Sequence, residues 1–530
     1  MKSRVWIAAG VALAVLAGVA FFVTRTVLGP AEDKAIALVP PDAVLYASVF
    51  VRPSTSQKMA LDDLLDKFPQ VGDDFEEAKD ALVEVLDPQL KKIGLAFEKD
   101  VDPWLGNQIA IFFQTPGIET QGFSPDGALL FNVRNEQKAQ DAVDKVLAAE
   151  DVTATSATYQ GVDYSTLEGN PVVVGFINDF LVFGTEKAFK LAVDSSKGDS
   201  LSEVSAYTKA TEDFEDDRIA EFYLDTRRLS GPLKRSHVFP KEAASGIDAL
   251  AAAGPVALSL HARSDAVVLE ASTKVPDDPA LSEVISNLSS ERIVSQFPSS
   301  TWLGLGIPKL GDTVEAIRDA VRRNSTGLLD DDIERAFRKE TGLDLHDDVL
   351  SWMQNAGLFV EGTKIADIGG AISIESSDAD KTVAAVARLR EAIESSTPTT
   401  TEDAERGGLT GFSIERGLPR PIYVLGGDRF VAAFGDGALS DALDGATTLA
   451  GSERFDRSSA VLGDGYAPFV YLDLTVIPQL VETVTFFAAD DPDPTYETKV
   501  KPILESLDYA TIGSRREDDT VFARFVIGVR

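Results

Sequence analysis

The chain has 530 residues, 44% of them hydrophobic, a formal net charge of −35 and no cysteine. That length exceeds one hydrophobic core, so two to four domains of roughly 100–200 residues are expected, with enough apolar side chains to fill them. The missing cysteines exclude disulfides, thiolate nucleophiles, cysteine-held zinc and a lipid-modified N-terminal cysteine, and the acidic balance makes nucleic acid a poor partner.

Residues 1–30 read MKSRVWIAAGVALAVLAGVAFFVTRTVLGP, with Lys2 and Arg4 ahead of an unbroken apolar run from Val5 to Val23. At about 1.5 Å per helical residue the run nearly crosses a hydrocarbon core of about 30 Å, which predicts a cytoplasmic stub and transmembrane anchor over 1–30. Cleavage as a signal peptide fits less well, because Gly18-Val19-Ala20 is a poor cut site and apolar Phe21, Phe22 and Val23 come next. Lys2, Arg4 and the terminal amine outnumber Arg25, so the expected topology is a single pass through the cell membrane, N-terminus cytoplasmic and the bulk of the chain extracytoplasmic. Beyond residue 30 the net charge is −38, a solvated surface that disfavours anionic lipid headgroups and nucleic acid alike.

The next segments recur. VPPDAVLYASV from Val39 resembles FPSSTWLGLGI from Phe297, an offset of 258. KIGLAFEKDVDPWLGNQIAIF, ending at Phe112, is echoed by ETGLDLHDDVLSWMQNAGLFV from Glu340 to Val360, with Gly94/Gly342, Leu95/Leu343, Asp100/Asp348, Val101/Val349, Trp104/Trp352 and Asn107/Asn355 identical. Each glycine comes after a basic last turn (Lys91, Lys92; Arg338, Lys339), the pattern of a helix stop at a left-handed residue. Asp100 and Asp348 then suit the N-cap of a short turn, each Trp suits a core anchor, and Ile109–Phe113 and Gly357–Val360 suit strands. Further on, the strand and helix from Gly127 match those from Gly370 at an offset of 243, and Gly184 pairs with Gly435 and Asp225 with Asp473. These recurrences imply tandem duplication into similar units at 36–280 and 290–530.

Within the units, Val143, Val146 and Leu147 share one helical face, as do Val314, Ile317 and Val321. Tight hairpins are expected at Val172–Ile177 with Phe180–Phe183, Pro421–Leu425 with Arg429–Phe434, Val256–Arg263 with Ala266–Thr273, and Ala510–Arg515 with Thr520–Val526. Hairpins mixed with helices predict α+β with largely antiparallel sheet.

Chemistry is sparsely written. Neither common phosphate loop occurs, nor G-x-S-x-G, S-x-x-K, K-T-G or H-E-x-x-H. His237, His261 and His346 lie on separate segments. AADDPDPTYE, with Asp490, Asp491, Asp493 and Glu497, lacks the glycine and alternation of a calcium loop and reads as a stiff exposed turn. Asp330–Asp332 suit a helix N-terminus, TEDFEDDRIAEF reads as a solvated loop before a strand, and Asp225 and Asp473 suit N-caps at strand ends. No catalytic, cofactor-binding or metal residue is assigned.

With the N-terminal run, V-P-x-D-A-x-x-Y-A-S at Val39–Ser48 and G-L-x-x-x-x-D-V-x-x-W at Gly94–Trp104 and Gly342–Trp352 in view, the chain resembles a bacterial family of membrane-anchored proteins known as domain of unknown function 3352. The resemblance implies a single-span exported α+β protein of uncharacterised role, with no catalytic residues to carry over. The expected function is a non-enzymatic envelope module that binds a protein, glycan or lipid partner in a groove between its units or on an exposed sheet edge. The alternative is a carboxylate-based hydrolase or divalent-cation-dependent enzyme with acids converging near Asp225 or Asp473.

Overall fold

The computed structural model describes residues 32–68, 90–91, 93–115, 126–235, 251, 254–324, 328–364, 366–396, 400–415, 419–444, 447–488 and 495–530. The apolar N-terminal run, His237 and Asp490–Asp493 lie outside them; among the described residues no helix is long and apolar enough to cross a membrane. Two compact units divide the chain, Met1–Lys274 and Val275–Arg530, each a mixture of helices with antiparallel sheet.

In the first unit the described strands are β1 (Leu45–Phe50), β2 (Leu105–Thr115), β3 (Asp126–Val133), β4 (Ala154–Tyr159), β5 (Val162–Leu167), β6 (Val172–Ile177), β7 (Phe180–Thr185), β8 (Ala220–Leu224), β9 (Val256–Arg263) and β10 (Ala266–Lys274). Their antiparallel pairings give the order β4-β5-β6-β7-β3-β2-β1-β8-β9-β10. Side chains alternate across a strand, so one face carries Tyr46, Phe112 and Tyr223 and the other Val49, Ile109 and Ile111. The first face is covered by α2 (Glu186–Ser195), through Ala188, Phe189 and Ala192, and α3 (Ser205–Thr211), through Tyr207 and Ala210. The second is covered by Trp104 and by Ala139, Ala142 and Val143 of α1 (Glu136–Ala149), whose N-cap Asn135 accepts the Lys138 N–H. The sheet is therefore the middle of three layers.

In the second unit β11 (Thr301–Ile307), β12 (Met353–Glu361), β13 (Gly369–Ser376), β14 (Glu402–Arg406), β15 (Leu409–Ile414), β16 (Ile422–Gly426), β17 (Arg429–Phe434), β18 (Ala467–Asp473), β19 (Leu507–Glu517) and β20 (Thr520–Val529) pair in the order β14-β15-β16-β17-β13-β12-β11-β18-β19-β20. This is the first unit's order, strand for strand. Here α4 (Ala379–Ser396), α5 (Asp436–Asp444) and α6 (Glu453–Leu462) come after the same strands as α1, α2 and α3. The helix Pro279–Leu288, within the stretch joining the repeats, falls in the second unit.

All four expected hairpins form, with Asn178 at φ +49° in the β6–β7 turn. The expected apolar face of Leu310–Asn324 is corrected at Ile317, which is 49% exposed, while Thr313 and Ala316 are buried; the Val321 side chain lies outside the described residues. Space explains it, since a Cβ on Gly311 would meet the Leu350 carbonyl oxygen at 2.1 Å, which brings that helix close on a face of small residues. A second departure lies at the start of β11. Register pairs Tyr46 with Tyr223 and Gly304 with Tyr471, so a glycine stands where the first unit has Tyr46. The Phe297 ring fills that space, 2.9 Å from where a Cβ on Gly304 would sit.

Candidate functional site

The echoed connector takes the same form in both units. Gly94 and Gly342 sit at φ +79° and +73°, where a glycine ends a helix without strain. A single wide turn comes after each, Phe97–Val101 and Leu345–Val349. Trp104 donates its indole N–H to the Asp100 carbonyl at 2.6 Å, and Trp352 donates to that of Asp348 at 2.9 Å. Both rings are buried, Trp104 beside Ala142 of α1 and Trp352 beside Ala385 of α4. The expected N-caps at Asp100 and Asp348 are corrected: the cap positions belong to Ala96 and Asp344, and the aspartates lie inside the turn and reach back to accept those two N–H groups at 2.8 and 2.7 Å. An unsatisfied N–H at the turn's start is the demand in either case. The connector is structural.

Asp225 and Asp473 do cap, the first accepting from the N–H groups of Arg227 and Arg228, the second from that of Thr475. Their surroundings then diverge. Asp473 accepts from Arg454 Nη1 at 2.6 Å; Arg454 Nε also donates to Asp508 at 2.7 Å, and Arg457 Nη2 donates to the other Asp508 oxygen at 2.6 Å. Asp508 is 3% exposed; burial works to raise its carboxyl, but hydrogen bonds from the two guanidinium groups outweigh it and hold the group below the usual carboxylate range. Arg454, Arg457 and Asp473 border a pocket of about 240 Å³ lined also by Ser299, Thr301, Leu449, Ser452, Glu453 and Tyr471, with Asp508 behind the two arginines. Ring geometry fixes the equivalence of the covering helices: Tyr207–Tyr223 and Phe455–Tyr471 both stand at 5.3 Å and 74°. The first unit accordingly has Ala206 and Lys209 where the second has Arg454 and Arg457, and strand register sets Gly254 against Asp508.

The first unit instead buries a polar row. Ser48, Glu221, Ser259 and Glu270 face one another in register across β1, β8, β9 and β10, each no more than 2% exposed. Glu221 accepts from the Tyr207 hydroxyl and pairs with Arg218 at 2.8 Å. Burial pushes the Glu221 carboxyl up to about 7, against the pull of Arg218 and the Tyr207 hydrogen bond and with repulsion from Asp33 added. Glu270 accepts the Glu215 N–H at 3.2 Å, and its carboxylate lies 3.7 Å from His261 Nδ1. Part of TEDFEDDRIAEF is thus tied to the sheet: Arg218 and Glu221 are inside, although Glu215 and Asp216 are solvated as expected. No sequence signal distinguished these charges from their exposed neighbours. In the second unit register sets Gly513 against Arg524 at the positions of Ser259 and Glu270, and β18 bulges between Pro468 and Val470, at Phe469, where the first unit has Glu221.

His261 is buried and His346 exposed against Glu315, whose hydrogen bond raises its pKa; they sit in different units. Asp330–Asp332 are the third to fifth residues of Leu328–Thr341, near the helix N-terminus as expected. Among the described residues no group of three acidic or histidine side chains converges as a metal site would require.

No curated protein matches the chain. Solved structures similar to it include crystal forms I and IV of TP0453, at 11% and 12% identity and a TM-score of 0.24 each, over 48% and 47% of this chain and 81% of theirs. At that score the likeness carries no argument. A profile described as protein of unknown function (DUF3352) matches residues 5–523, nearly the whole length, and the chain belongs to that family.

Proposed function

We propose that this is a single-pass membrane protein whose two extracytoplasmic units, copies of one ancestral unit, form a non-enzymatic binding module for an extended segment of an envelope protein. The observation that carries the binding reading is the edge of the first sheet. β4 pairs only with β5 among the described residues, and its sequence ATSATY is uncharged and mostly exposed. The equivalent edge in the second unit, β14, reads EDAER, with four charges in five residues, a common guard against strand addition. The identical strand order of the units supports duplication, and the contrast at their edges supports a role for the unguarded one.

The segment just beyond the apolar run supports anchoring through residues 1–30. Asp33 accepts from the Tyr46 hydroxyl at 2.8 Å and from Gln108 Nε2 at 2.6 Å, and Ala35, Ile36 and Leu38 are buried. The chain is fixed to the first unit within ten residues of Val23, a tether of at most about 35 Å.

The Thr153 carbonyl accepts from Glu168 N, so the odd-numbered residues of this edge face β5, and the N–H groups of Ala154, Ser156 and Thr158 point outward. Ser156→Pro therefore removes an outward donor and no ladder bond. With a photo-crosslinker at Thr158 of the full chain in cells, one reproducible protein adduct is expected, lost in Ser156→Pro, with none from a crosslinker at Glu405. Adducts indifferent to the proline would refute strand capture. Separately, protease added to intact spheroplasts should digest the chain beyond residue 30; protection would refute the topology.

A further inference from the structure

The pocket beside Arg454 is built for more than stability. It opens at the N-terminus of α6, a ten-residue helix whose N-cap, Ser452, makes no side-chain cap bond. Orphan N–H groups of that first turn meet the positive end of the helix dipole there. Two guanidinium groups, Arg454 and Arg457, line the same space. An independent observation comes from β11: the Thr301 hydroxyl, in a residue 3% exposed that lines the same pocket, has no hydrogen-bond partner among the described residues. A buried hydroxyl left unpaired costs about 1–3 kcal/mol, a cost that a ligand can lift. The first unit keeps a cation and a carboxylate, Lys209 and Asp225, at the places of Arg457 and Asp473, but Ala43, Ala206 and Gly254 stand where the second has Thr301, Arg454 and Asp508, so the fold does not require the full set.

We propose that this pocket of the second unit binds a phosphate group. A tetrahedral oxyanion presents acceptors in several directions, matching helix N–H groups, hydroxyls and guanidinium donors that converge from different elements. Three carboxylates, Asp473, Asp508 and Glu453, pair with Arg454 and Arg457 and fix the guanidinium planes, so the phosphate must draw on the helix N–H groups and hydroxyls as well as on the two cations. About 240 Å³ also leaves room for the group that carries the phosphate. The site lies in the other unit from β4 and is independent of strand capture.

The test uses the full chain in neutral detergent micelles, titrated with inorganic phosphate and with glycerol 3-phosphate at constant ionic strength and monitored by melting temperature. Saturable stabilisation is expected, with chloride inert. Arg454→Ala risks unfolding by stranding Asp508, so the informative variant is Thr301→Val, which keeps shape and charge. It should melt near wild type without phosphate and bind phosphate about tenfold more weakly. No saturable stabilisation, or equal affinity in Thr301→Val, overturns the proposal. Doping the micelles with phosphatidylglycerol, for wild type and Thr301→Val side by side, distinguishes sources: stabilisation lost in the variant assigns a lipid headgroup, and no stabilisation assigns a soluble phosphate, the outcome expected of so acidic a surface.

Discussion

Replacing Glu221 by glutamine tests the buried row most directly. The wild-type carboxyl rises from an ordinary 4.5 to about 7, a difference of about 2.5 that burial causes first. Because the folded value is the higher one, the folded protein holds a proton that the unfolded chain releases between those limits. Stability from this group is therefore complete below about pH 4.5 and falls as pH rises towards 7, with no further change above. At 1.36 kcal/mol per pH unit the loss is about 3 kcal/mol, undiscounted because Glu221 is only 2% exposed. Glutamine accepts the Tyr207 hydroxyl but cannot titrate. The assay is amide hydrogen exchange of β1 and β8 from pH 4 to 8, normalised to intrinsic rates, which reads opening of this region without assuming that both units unfold together. The difference between wild type and Glu221→Gln should change by about 3 kcal/mol across the window. Parallel profiles would refute a raised Glu221, whatever the offset between them.

The two connector glycines should respond unequally to alanine. At Gly342 a Cβ meets nothing within 4 Å, so only the left-handed backbone is penalised, by about 1 kcal/mol in urea unfolding; at Gly94 it would also press the Ala149 Cβ at 3.0 Å, and a larger loss is expected. Equal losses would mean that packing against α1 is irrelevant. Arg454→Ala with Asp508→Asn should show a coupling energy of about 1–3 kcal/mol in a double-mutant cycle, because removing the arginine alone leaves a buried carboxylate with Arg457 as its one remaining cation among the described residues. Additive losses would show that the pair does not act as a unit.

Local grammar made much of this fold legible. Hairpin turns, the glycine helix stops and the Trp anchors depend on residues adjacent in sequence, and their positions agree with the structure to within a few residues. The register of β1 against β8 depends on residues over 100 apart, and there the alternation of the strands gave the face but not the neighbours. Glu221 illustrates the limit. In AEFYL its alternation with Tyr223 marks it as inward or outward only relative to its partners, and a charge between apolar residues ordinarily marks the outward face. Its actual company includes Tyr207 from α3, Ser259 from β9 and Arg218 from the loop before β8. Thr301 and Arg454, separated by about 150 residues, are likewise ordinary in sequence; only the pocket gives them a common meaning.

Two units with one strand order supply an internal control that a lone domain lacks. One strand order is held in the first unit with Ser48, Glu221, Ser259 and Glu270 along its buried row and in the second with Gly513 and Arg524 at the places of Ser259 and Glu270 and a bulge at Phe469. Likewise Ala206 and Gly254 serve one copy where Arg454 and Asp508 serve the other. Topology is indifferent to these exchanges, so it cannot be the reason for either polar set. Burying a carboxylate costs free energy that a row without one avoids, as the second unit demonstrates. The features common to both copies, the connector with its glycine, aspartate and tryptophan, are accounted for by helix termination and burial. The features held by one copy alone are where specific function has room to reside, and they point to the unguarded β4 edge in the first and to the α6 pocket in the second.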